Sequence, residues 1–440
     1  MTAVKVGSWG RYPPHIQSSH DCFWRSDIAR DVTHLADQHG GTLAFGKGRS
    51  YGDSCLAASD HVLNMCSLDR LISVDWGTGI IVAESGVTLE SILSLTIPHG
   101  WFLPVTPGTK YVTLGGAIAN DVHGKNHHVR GTFGCHVRSF GLVRSDREPV
   151  TCSPGENAEL FSATIGGLGL TGIIAWVELQ LIPVESCMID TSTERFGSLG
   201  EFFDVSNELD NANEYSVAWV DCVAKGASAG RGIYMAGNHA TDNKLEIKNE
   251  HKLTVPFTPP VSAINRFSLK LFNYCYFHMH KKGRHTDTAY FDKFFYPLDG
   301  ILNWNRIYGP RGFQQYQCVI PEQNAETATH ALLDAIAKKG SGSFLAVLKR
   351  CGSIKSPGLL SFPVQGTSLA LDFPQNATLN QNLFPRLDAI VNEANGRLYP
   401  AKDAHMSSSD FRAWYPDWEQ IESIRDPALC SHFWKRVALS

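Results

Sequence analysis

The stretch from Thr106 to His128, TPGTKYVTLGGAIANDVHGKNHH, joins a glycine-rich run to a group of titratable side chains. Glycine has no Cβ, so such a backbone can approach a flat or phosphorylated ligand closely. The glycines lead directly into His123, Lys125, His127 and His128. A ligand surface with titratable groups at its end predicts a cofactor site with chemistry beside it.

Two further glycine motifs compete for the role of holding a phosphate group. Residues 46–53 read GKGRSYGD, follow a predicted strand and carry Lys47 and Arg49, which suits a pyrophosphate. Residues 167–172 read GLGLTG, the literal spacing of a dinucleotide-binding loop. A β-branched run, IIAWVELQLIP, follows where that fingerprint requires a helix, so we reject a Rossmann site. The sequence contains no P-loop motif, so a P-loop nucleotide enzyme is not expected.

The HGKNHH run is also a candidate metal cluster, because His123 and His127 are four residues apart. The preceding glycines favour a loop over a helix, and Asp121 is the one adjacent carboxylate. We therefore predict no metal, and we predict instead that His123 and Lys125 contact a cofactor and a substrate.

Composition indicates a globular protein with no general affinity for nucleic acid. The chain has 440 residues, of which 43% are hydrophobic and 19% charged, and its net charge is -4. This length predicts two domains or one domain with a large insertion. The 11 cysteines are scattered without a CxxC pair, which is typical of a reducing compartment and argues against disulfides or a zinc site. We expect no signal peptide and no membrane span.

Hydrophobic periodicity predicts an α+β fold. Helices are predicted over 26–39 and from Thr88 to Ile97, among many short strands. From about Glu194, longer strand candidates appear, with helices over roughly 322–339 and 379–394 between them. This pattern predicts a second domain built on an antiparallel sheet flanked by helices.

Residues 255–285 interleave aromatic and leucine side chains with basic ones and end in KKGRH. Such a segment is a candidate for peripheral contact with a membrane surface, or for covering an acidic and greasy substrate. An ordinary core helix with a basic C-terminus explains the same pattern.

These motifs together resemble the vanillyl-alcohol-oxidase type of FAD oxidoreductase, whose FAD domain (the PCMH type) is α+β and not Rossmann. Within that type, the chain resembles the decaprenylphosphoryl-β-D-ribose 2′-oxidase family over almost its whole length. The specific matches are the HGKNHH block and the AKD at 401–403, supported by GKGRSYGD, NWNRIYG and FQQYQCVIP. The resemblance implies an FAD domain over 1–190 and a substrate domain over 191–394. A C-terminal segment over 395–440 would return to the FAD domain and carry the active-site lysine.

The resemblance implies noncovalent FAD, because Tyr51-Gly52-Asp53 stands where many relatives carry a flavin-linking histidine. The GKGRSYGD loop would wrap the pyrophosphate, and the second glycine segment would line the other side. The implied cofactor-binding residues are Gly46, Lys47, Gly48, Arg49, Ser50, Tyr51, Gly52, Thr106, Pro107, Gly108, Gly115, Gly116, Ala119, Asn120, His123, Gly124, Asn126, Gly169, Gly172, Ile173 and Tyr399.

Lys402 and His123 are the implied catalytic residues, with Lys402 at the substrate and His123 beside the isoalloxazine ring. Oxidation of a secondary alcohol requires hydride loss from carbon and proton loss from oxygen. A lysine can take that proton where burial and cationic neighbours lower its pKa from about 10.4. With a period of two, Gln315 and Gln317 share one strand face, as do Val347 and Lys349. The implied substrate-binding residues are Tyr51, Lys125, Trp219, Arg306, Gln315, Gln317, Val347, Lys349 and Lys402.

Two positions depart from the family pattern. Ala370 takes the place of a cysteine, so no nucleophilic thiol is expected in the pocket, and Cys351 takes the place of an aromatic residue. Both changes should alter the shape of the pocket more than hydride transfer.

The resemblance implies oxidation of the 2-hydroxyl of a polyprenyl-phosphoryl-β-D-ribose to the 2-keto sugar. This is the first half of an epimerisation to the arabinose donor of cell-wall arabinan. A separate NAD(P)H-dependent keto-sugar reductase would complete the inversion. The enzyme would be cytoplasmic, with contact at the inner membrane face through residues 255–285. The alternative keeps FAD but oxidises a soluble sugar, alditol or aldonolactone. A third alternative is a glycan- or lipid-binding protein that has lost its flavin.

Overall fold

The computed structural model describes residues 4–248, 252–340 and 342–440, and their fold is α+β, as predicted. The strands are β1 (Val4–Val6), β2 (Gln17–Asp21), β3 (Ala44–Phe45), β4 (His61–Asn64), β5 (Leu71–Asp75), β6 (Ile80–Glu84), β7 (Trp101–Phe102), β8 (Val137–Val143), β9 (Val150–Cys152), β10 (Ile173–Gln180), β11 (Ile182–Pro183), β12 (Met188–Phe196), β13 (Tyr215–Val220), β14 (Gly232–His239), β15 (Leu253–Thr254), β16 (Arg284–Tyr290), β17 (Ile301–Leu302), β18 (Phe313–Pro321), β19 (Ala346–Cys351), β20 (Gly366–Pro374) and β21 (Arg397–Leu398). The α-helices are α1 (Ile28–His39), α2 (Leu89–Thr96), α3 (Leu114–Ala119), α4 (His127–Arg130), α5 (Ala158–Thr164), α6 (Leu199–Leu209), α7 (Arg266–Met279), α8 (Phe291–Phe295), α9 (Ala325–Lys339), α10 (Phe384–Glu393), α11 (Ser408–Trp414), α12 (Trp418–Ile424) and α13 (His432–Val437).

The first sheet has the strand order β1-β2-β4-β3, and β2 and β3 both run parallel to β4. Helix α1 packs on this sheet through Ile28, Val32 and Leu35, which are fully buried, so the apolar spacing seen in the sequence forms the contact. The helix predicted over 26–39 is confirmed. It ends at Gly40, whose φ of 77° suits a residue without a Cβ.

The second sheet is antiparallel, in the order β5-β6-β10-β8-β9. The helix predicted from Thr88 to Ile97 is α2, and the Thr88 hydroxyl caps it by accepting from the backbone N–H of Ser91. Strand β10 directly follows the GLGLTG sequence, which confirms that this loop does not open a Rossmann helix.

The third sheet is antiparallel and has eight strands, in the order β16-β12-β14-β13-β19-β20-β18-β21. It begins at Met188, a few residues before the change in pattern near Glu194. Helices α6, α9 and α10 cover one face, so that Leu332, Leu369 and Leu387 share one core. The helix predicted over 379–394 starts as a π-helical turn before α10, and the one predicted over 322–339 starts as a 3₁₀ turn before α9.

The chain after β20 joins the third sheet to the first. Strand β21 pairs with β18, and farther on Thr42 bridges to Leu429 and Ala57 to Ser431. Between these contacts, the backbone N–H of Tyr51 donates to the carbonyl of Ala401 at 3.2 Å. The turn that carries Lys402 is therefore held against the GKGRSYGD loop.

Helix α7 occupies the middle of the aromatic and basic segment at 255–285. It buries Leu269, Asn273 and Phe277 on one face, whereas Phe267 and Met279 are 76% and 77% exposed. Only one face of this helix therefore belongs to the core. No helix within the described ranges is long and apolar enough to cross a bilayer.

Candidate active site

One cavity of about 560 Å³ lies between the two glycine segments and the third sheet. The predicted residues that line it are Gly46, Lys47, Gly48, Arg49, Ser50, Tyr51, Thr106, Pro107, Gly108, Gly115, Gly116, Ala119, Asn120, His123, Gly124, Lys125, Gly169, Gly172, Trp219, Gln315, Gln317, Val347, Lys349, Tyr399 and Lys402. Segments far apart in the sequence thus meet around one volume of the size that small ligands and cofactors occupy.

Four predicted residues lie behind the lining. Gly52 packs on the carbonyl of Asp403, where a Cβ would overlap that oxygen. Ile173 is fully buried in the core beneath the first sheet. Asn126 donates to the carbonyl of Pro104 at 2.8 Å, and Arg306 donates to the carbonyls of residues 255 and 256 at 2.9 Å. None of the four is among the described residues that line the cavity, and the bonds of Asn126 and Arg306 hold backbone around it.

The glycine end of the cavity fits FAD. A Cβ on Gly46 would lie 2.5 Å from Thr113 Oγ1, so glycine is required for this approach. Three buried polar atoms there, Arg49 Nε, Ser54 Oγ and Ser85 Oγ, have no hydrogen-bond partner among the described residues. Buried polar groups are normally paired, so these atoms indicate a polar ligand that completes them. Arg49 is further held by its stacking on Trp9, at 4.0 Å from the ring centroid.

Lys402 stands where the cavity meets the third sheet. Its Nζ lies 3.8 Å from the ring centroid of Tyr51. Burial lowers the pKa of Lys402 to about 8, although the neighbouring Asp372 opposes this shift. A substantial fraction of the lysine is therefore neutral near pH 7.5, as a proton acceptor must be.

Asp372 lines the cavity beside Lys402 but is not predicted from the sequence. Gln315 Nε2 donates to its Oδ1 at 2.7 Å and the Tyr308 hydroxyl to its Oδ2 at 3.3 Å. Burial raises the pKa of Asp372 to about 6, so the carboxyl is ionised at neutral pH. Side chains alternate along a strand, so Asp372 lies on the same face of β20 as Ala370. The same alternation that pairs Gln315 with Gln317 could therefore have identified Asp372 as well.

His123 forms the centre of a second polar group. Lys349 Nζ contacts His123 Nδ1 and donates to the carbonyl of Gly124 at 2.7 Å. The side-chain amide of Gln317 lies 3.1 Å from His123 Nε2. Burial, with the cation of Lys349 beside it, holds the pKa of His123 well below its usual value. The imidazole is therefore neutral and can donate or accept a hydrogen bond without carrying charge.

Basic side chains outnumber acidic ones in the cavity. Burial lowers the pKa of Lys125 to about 7 and of Lys349 to about 8. With Lys402, these lysines outnumber the buried carboxylates of Asp372 and Asp299 that also line the cavity. Buried ammonium groups that lack matched carboxylates are stabilised by an anion, so the cavity suits a phosphorylated ligand.

One side of the cavity is apolar, and of its residues the sequence identifies Trp219 by number and those of α7 only through the segment 255–285, as a candidate cover for a greasy substrate. Met235, Phe272, Tyr276 and Phe344 line it. Trp219 is fixed there, since its Nε1 donates to the carbonyl of Phe344 at 2.8 Å. Because Phe272 and Tyr276 belong to α7, that helix forms a wall of the cavity while its outer face meets solvent.

The two departures from the family pattern differ in their surroundings. Ala370 lines the cavity between Gln317 and Val347 in the strand register. Cys351 is buried behind the lining among residues that include Phe362. One thiol, that of Cys55, does line the cavity. Burial raises the pKa of Cys55 to about 12, so this thiol remains protonated.

Known proteins carry the same sequence features. A family model described as the FAD binding domain matches residues 26–153. The chain is 36% identical to the decaprenylphosphoryl-beta-D-ribose oxidase of Mycolicibacterium smegmatis, over 97% of this chain and 95% of that protein. The chain belongs to this oxidase family. It is therefore an FAD-dependent oxidoreductase, and its FAD domain is of the α+β type predicted from the sequence.

Other relatives match less of the chain or carry no named activity. A Streptomyces coelicolor protein without an assigned function is 31% identical over 78% of this chain and 96% of its own length. The L-gulonolactone oxidase of Mus musculus is 30% identical over 35% of each chain. The likeness to the lactone oxidase is thus confined to about a third of the chain, whereas the oxidase family of the mycobacterial enzyme extends over nearly all of it.

Proposed function

We propose that this protein oxidises the 2-hydroxyl of a polyprenyl-phosphoryl-β-D-ribose to the 2-keto sugar. The observation that carries the proposal is the order in which polar and apolar side chains follow one another along the cavity. The strand register places Gln317 opposite Ala370, Ala370 opposite Val347 and Val347 opposite Trp219. Lys349, two residues after Val347 on β19, therefore lies between the glutamines of β18 and the apolar wall that Trp219 forms with Tyr276 of α7. A substrate with a phosphate between a sugar and a lipid presents its groups in that order.

Each polar group has a role in this proposal. FAD, when bound, supplies the acceptor for the hydrogen on C2 of the sugar. The neutral amine of Lys402 takes the proton of the 2-hydroxyl, and Asp372 stabilises the ammonium that results. Gln315 and Gln317 bind the other sugar hydroxyls. Lys349 and Lys125 bind the phosphate, which a point charge on a flexible stem suits.

The outer face of α7 supports a lipid-linked substrate. Besides Phe267 and Met279, Leu271 and Tyr274 are 54% and 58% exposed on this helix, and Lys281 and Lys282 follow it. An apolar face next to cations suits the boundary between acyl chains and anionic headgroups. We infer peripheral contact with a membrane here, at the inner face in the cell, which would deliver the lipid tail to the cavity.

The same proposal extends to domains and partners. The units 1–190, 191–394 and 395–440 would hold the cofactor, bind the substrate and supply Lys402, respectively. The product would be a ketone, so an enzyme that reduces keto sugars with NAD(P)H would have to follow for the inversion to be completed.

An anaerobic absorbance measurement tests the proposal. A short-chain polyprenyl-phosphoryl ribose added to the purified FAD-loaded protein should bleach the oxidised flavin band. The matched control is the corresponding arabinose compound, whose 2-hydroxyl has the opposite configuration and should leave the band intact. A protein that bleaches with free alditols or aldonolactones, and not with the lipid-linked ribose, would establish the soluble-substrate alternative instead.

A further inference from the structure

Three histidines from three elements of the first sheet layer lie together. His20 is on β2, His61 is on β4, and His39 is in the last turn of α1. His20 Nε2 and His61 Nδ1 are 3.0 Å apart, and one ring nitrogen from each of the three lies within 4.8 Å of the others. None of them is among the described residues that line the FAD cavity.

This arrangement suits a divalent transition-metal ion. Imidazole nitrogen is a preferred ligand of zinc and of the later first-row metals. In a tetrahedral zinc site, two ligand nitrogens lie about 3.3 Å apart, which is close to the separation of His20 from His61.

The position of His39 supports the same conclusion. The carbonyl end of a helix attracts positive charge, and His39 occupies the last turn of α1. Asp21 adds an attractive charge near His20, whereas Lys5 adds a repulsive one near His61. The rings of His39 and His61 stack with centroids 3.5 Å apart, so binding requires His39 to turn a ring edge toward the ion.

The geometry points to a site in which His20, His39 and His61 bind one zinc ion, with water completing the coordination. The ion would join α1 to the neighbouring strands β2 and β4, and so stabilise the FAD domain from outside the cavity. It would have no part in the oxidation itself.

Zinc binding to the FAD-loaded, untagged protein tests the site. After treatment with a chelator, the protein is incubated with zinc sulfate, passed through a gel-filtration column and assayed for metal. One zinc per chain should remain, and zinc should raise the midpoint of thermal unfolding. His61→Gln should lose both effects, and its oxidation rate should match that of the wild type. The matched control is His15→Gln, from a separate group with Asp60 and His432, and it should keep both effects.

Three outcomes would overturn the assignment. Wild-type protein that retains no zinc after gel filtration has no site of useful affinity. Equal retention by His61→Gln places the ion elsewhere, and loss in His15→Gln alone places it on the neighbouring group. If His61→Gln does not fold, His20→Gln replaces it, with circular dichroism of the chelated proteins as the check on folding.

Discussion

At the residue scale, Lys402 should set the pH dependence of oxidation. Its pKa in the folded protein is about 8, and only the neutral amine can accept the substrate proton. With saturating substrate, the rate of flavin bleaching should therefore rise with pH through about 8 and then level off. Lys402→Met should lower this rate by at least about 100-fold while FAD stays bound.

Stopped-flow absorbance under anaerobic conditions measures both effects. Lys435→Met removes an exposed lysine of α13 and should leave the rate and its pH profile unchanged. A Lys402→Met protein with the wild-type rate would show that another group accepts the proton.

Asp372 should help to set the pH at which the rate of flavin bleaching reaches half of its maximum. Its negative charge raises the pKa of Lys402, so Asp372→Asn should lower that pKa and shift the rising limb by about one unit toward acid. The matched control is Asp334→Asn, which removes a half-exposed carboxylate paired with Lys338 on α9. A profile that stays in place in Asp372→Asn would mean that the carboxylate does not act on Lys402.

The sequence predicts these side chains unequally, for a physical reason. The places of Gln317 and Lys349 in the cavity can be predicted. Strand periodicity shows which neighbours share their strand face, and the family resemblance indicates that this face lines the substrate pocket. Arg306 satisfies the same resemblance, yet its guanidinium reaches backbone carbonyls instead of the cavity. The direction that a long side chain takes is decided by unpaired carbonyls nearby, and their positions follow from the loops and not from the local pattern.

At the element scale, α13 should hold the GKGRSYGD loop (the FAD loop, residues 46–53) against the turn that carries Lys402. Arg436 donates to both oxygens of Asp53, at 2.9 and 2.8 Å, and to Asp403 at 2.9 Å. Both carboxylates are buried, so Arg436→Met leaves Asp53 without its cation and leaves Asp403 with His405 as its remaining basic partner. Removing one partner of a buried pair costs about 3–5 kcal/mol, so thermal unfolding and FAD release should both occur at markedly lower temperature.

Flavin fluorescence and circular dichroism follow the two events in one heating experiment. Arg412→Met is the control, since Arg412 on α11 also binds the C-terminal backbone but contacts neither aspartate. Equal midpoints for Arg436→Met and the wild type would show that α13 does not support the FAD loop. This ion pair joins residues 383 positions apart, which no local pattern in the sequence could indicate.

Helix α7 should determine the use of long lipid tails. Replacing Phe267, Leu271 and Met279 with glutamine removes exposed apolar surface and leaves the buried face of the helix intact. Binding to vesicles that contain anionic lipid should weaken, and oxidation of long-tailed substrates should slow, while short-tailed substrates react normally. Ile16→Gln, which changes an exposed apolar side chain elsewhere, is the control. Equal losses on long and short substrates would contradict this role.

At the scale of the whole molecule, hydrophobic pattern was sufficient to predict the layers. Alternation in β18 and β20 indicates strands with one face on a helical layer, and the apolar spacing in α1 indicates a packed helix. The strand order of the third sheet could not be predicted, because β19 and β20 insert between β13 and β18. Such pairing depends on which buried faces fit together after the chain has collapsed.

Bound FAD should stabilise the three sheets together, because residues from or beside each of them line the cavity. Gly46 follows the first sheet, Gly116 lies beside the second, and Lys349 belongs to the third. A ligand that binds only the folded chain stabilises it by about 4 kcal/mol at a thousandfold excess over Kd. Removal of FAD should therefore lower the unfolding temperature.

Hydrogen exchange on holo- and apoprotein locates this effect. Without FAD, amides should lose protection in residues 106–124 and also in β18, β19 and β20, because both sides of the cavity lose the same ligand. Amides of β12 and β16, at the far edge of the third sheet, are the internal control and should change little. Loss of protection confined to residues 106–124 would mean that the third sheet is stable without the cofactor, and that the cavity does not couple the two sides.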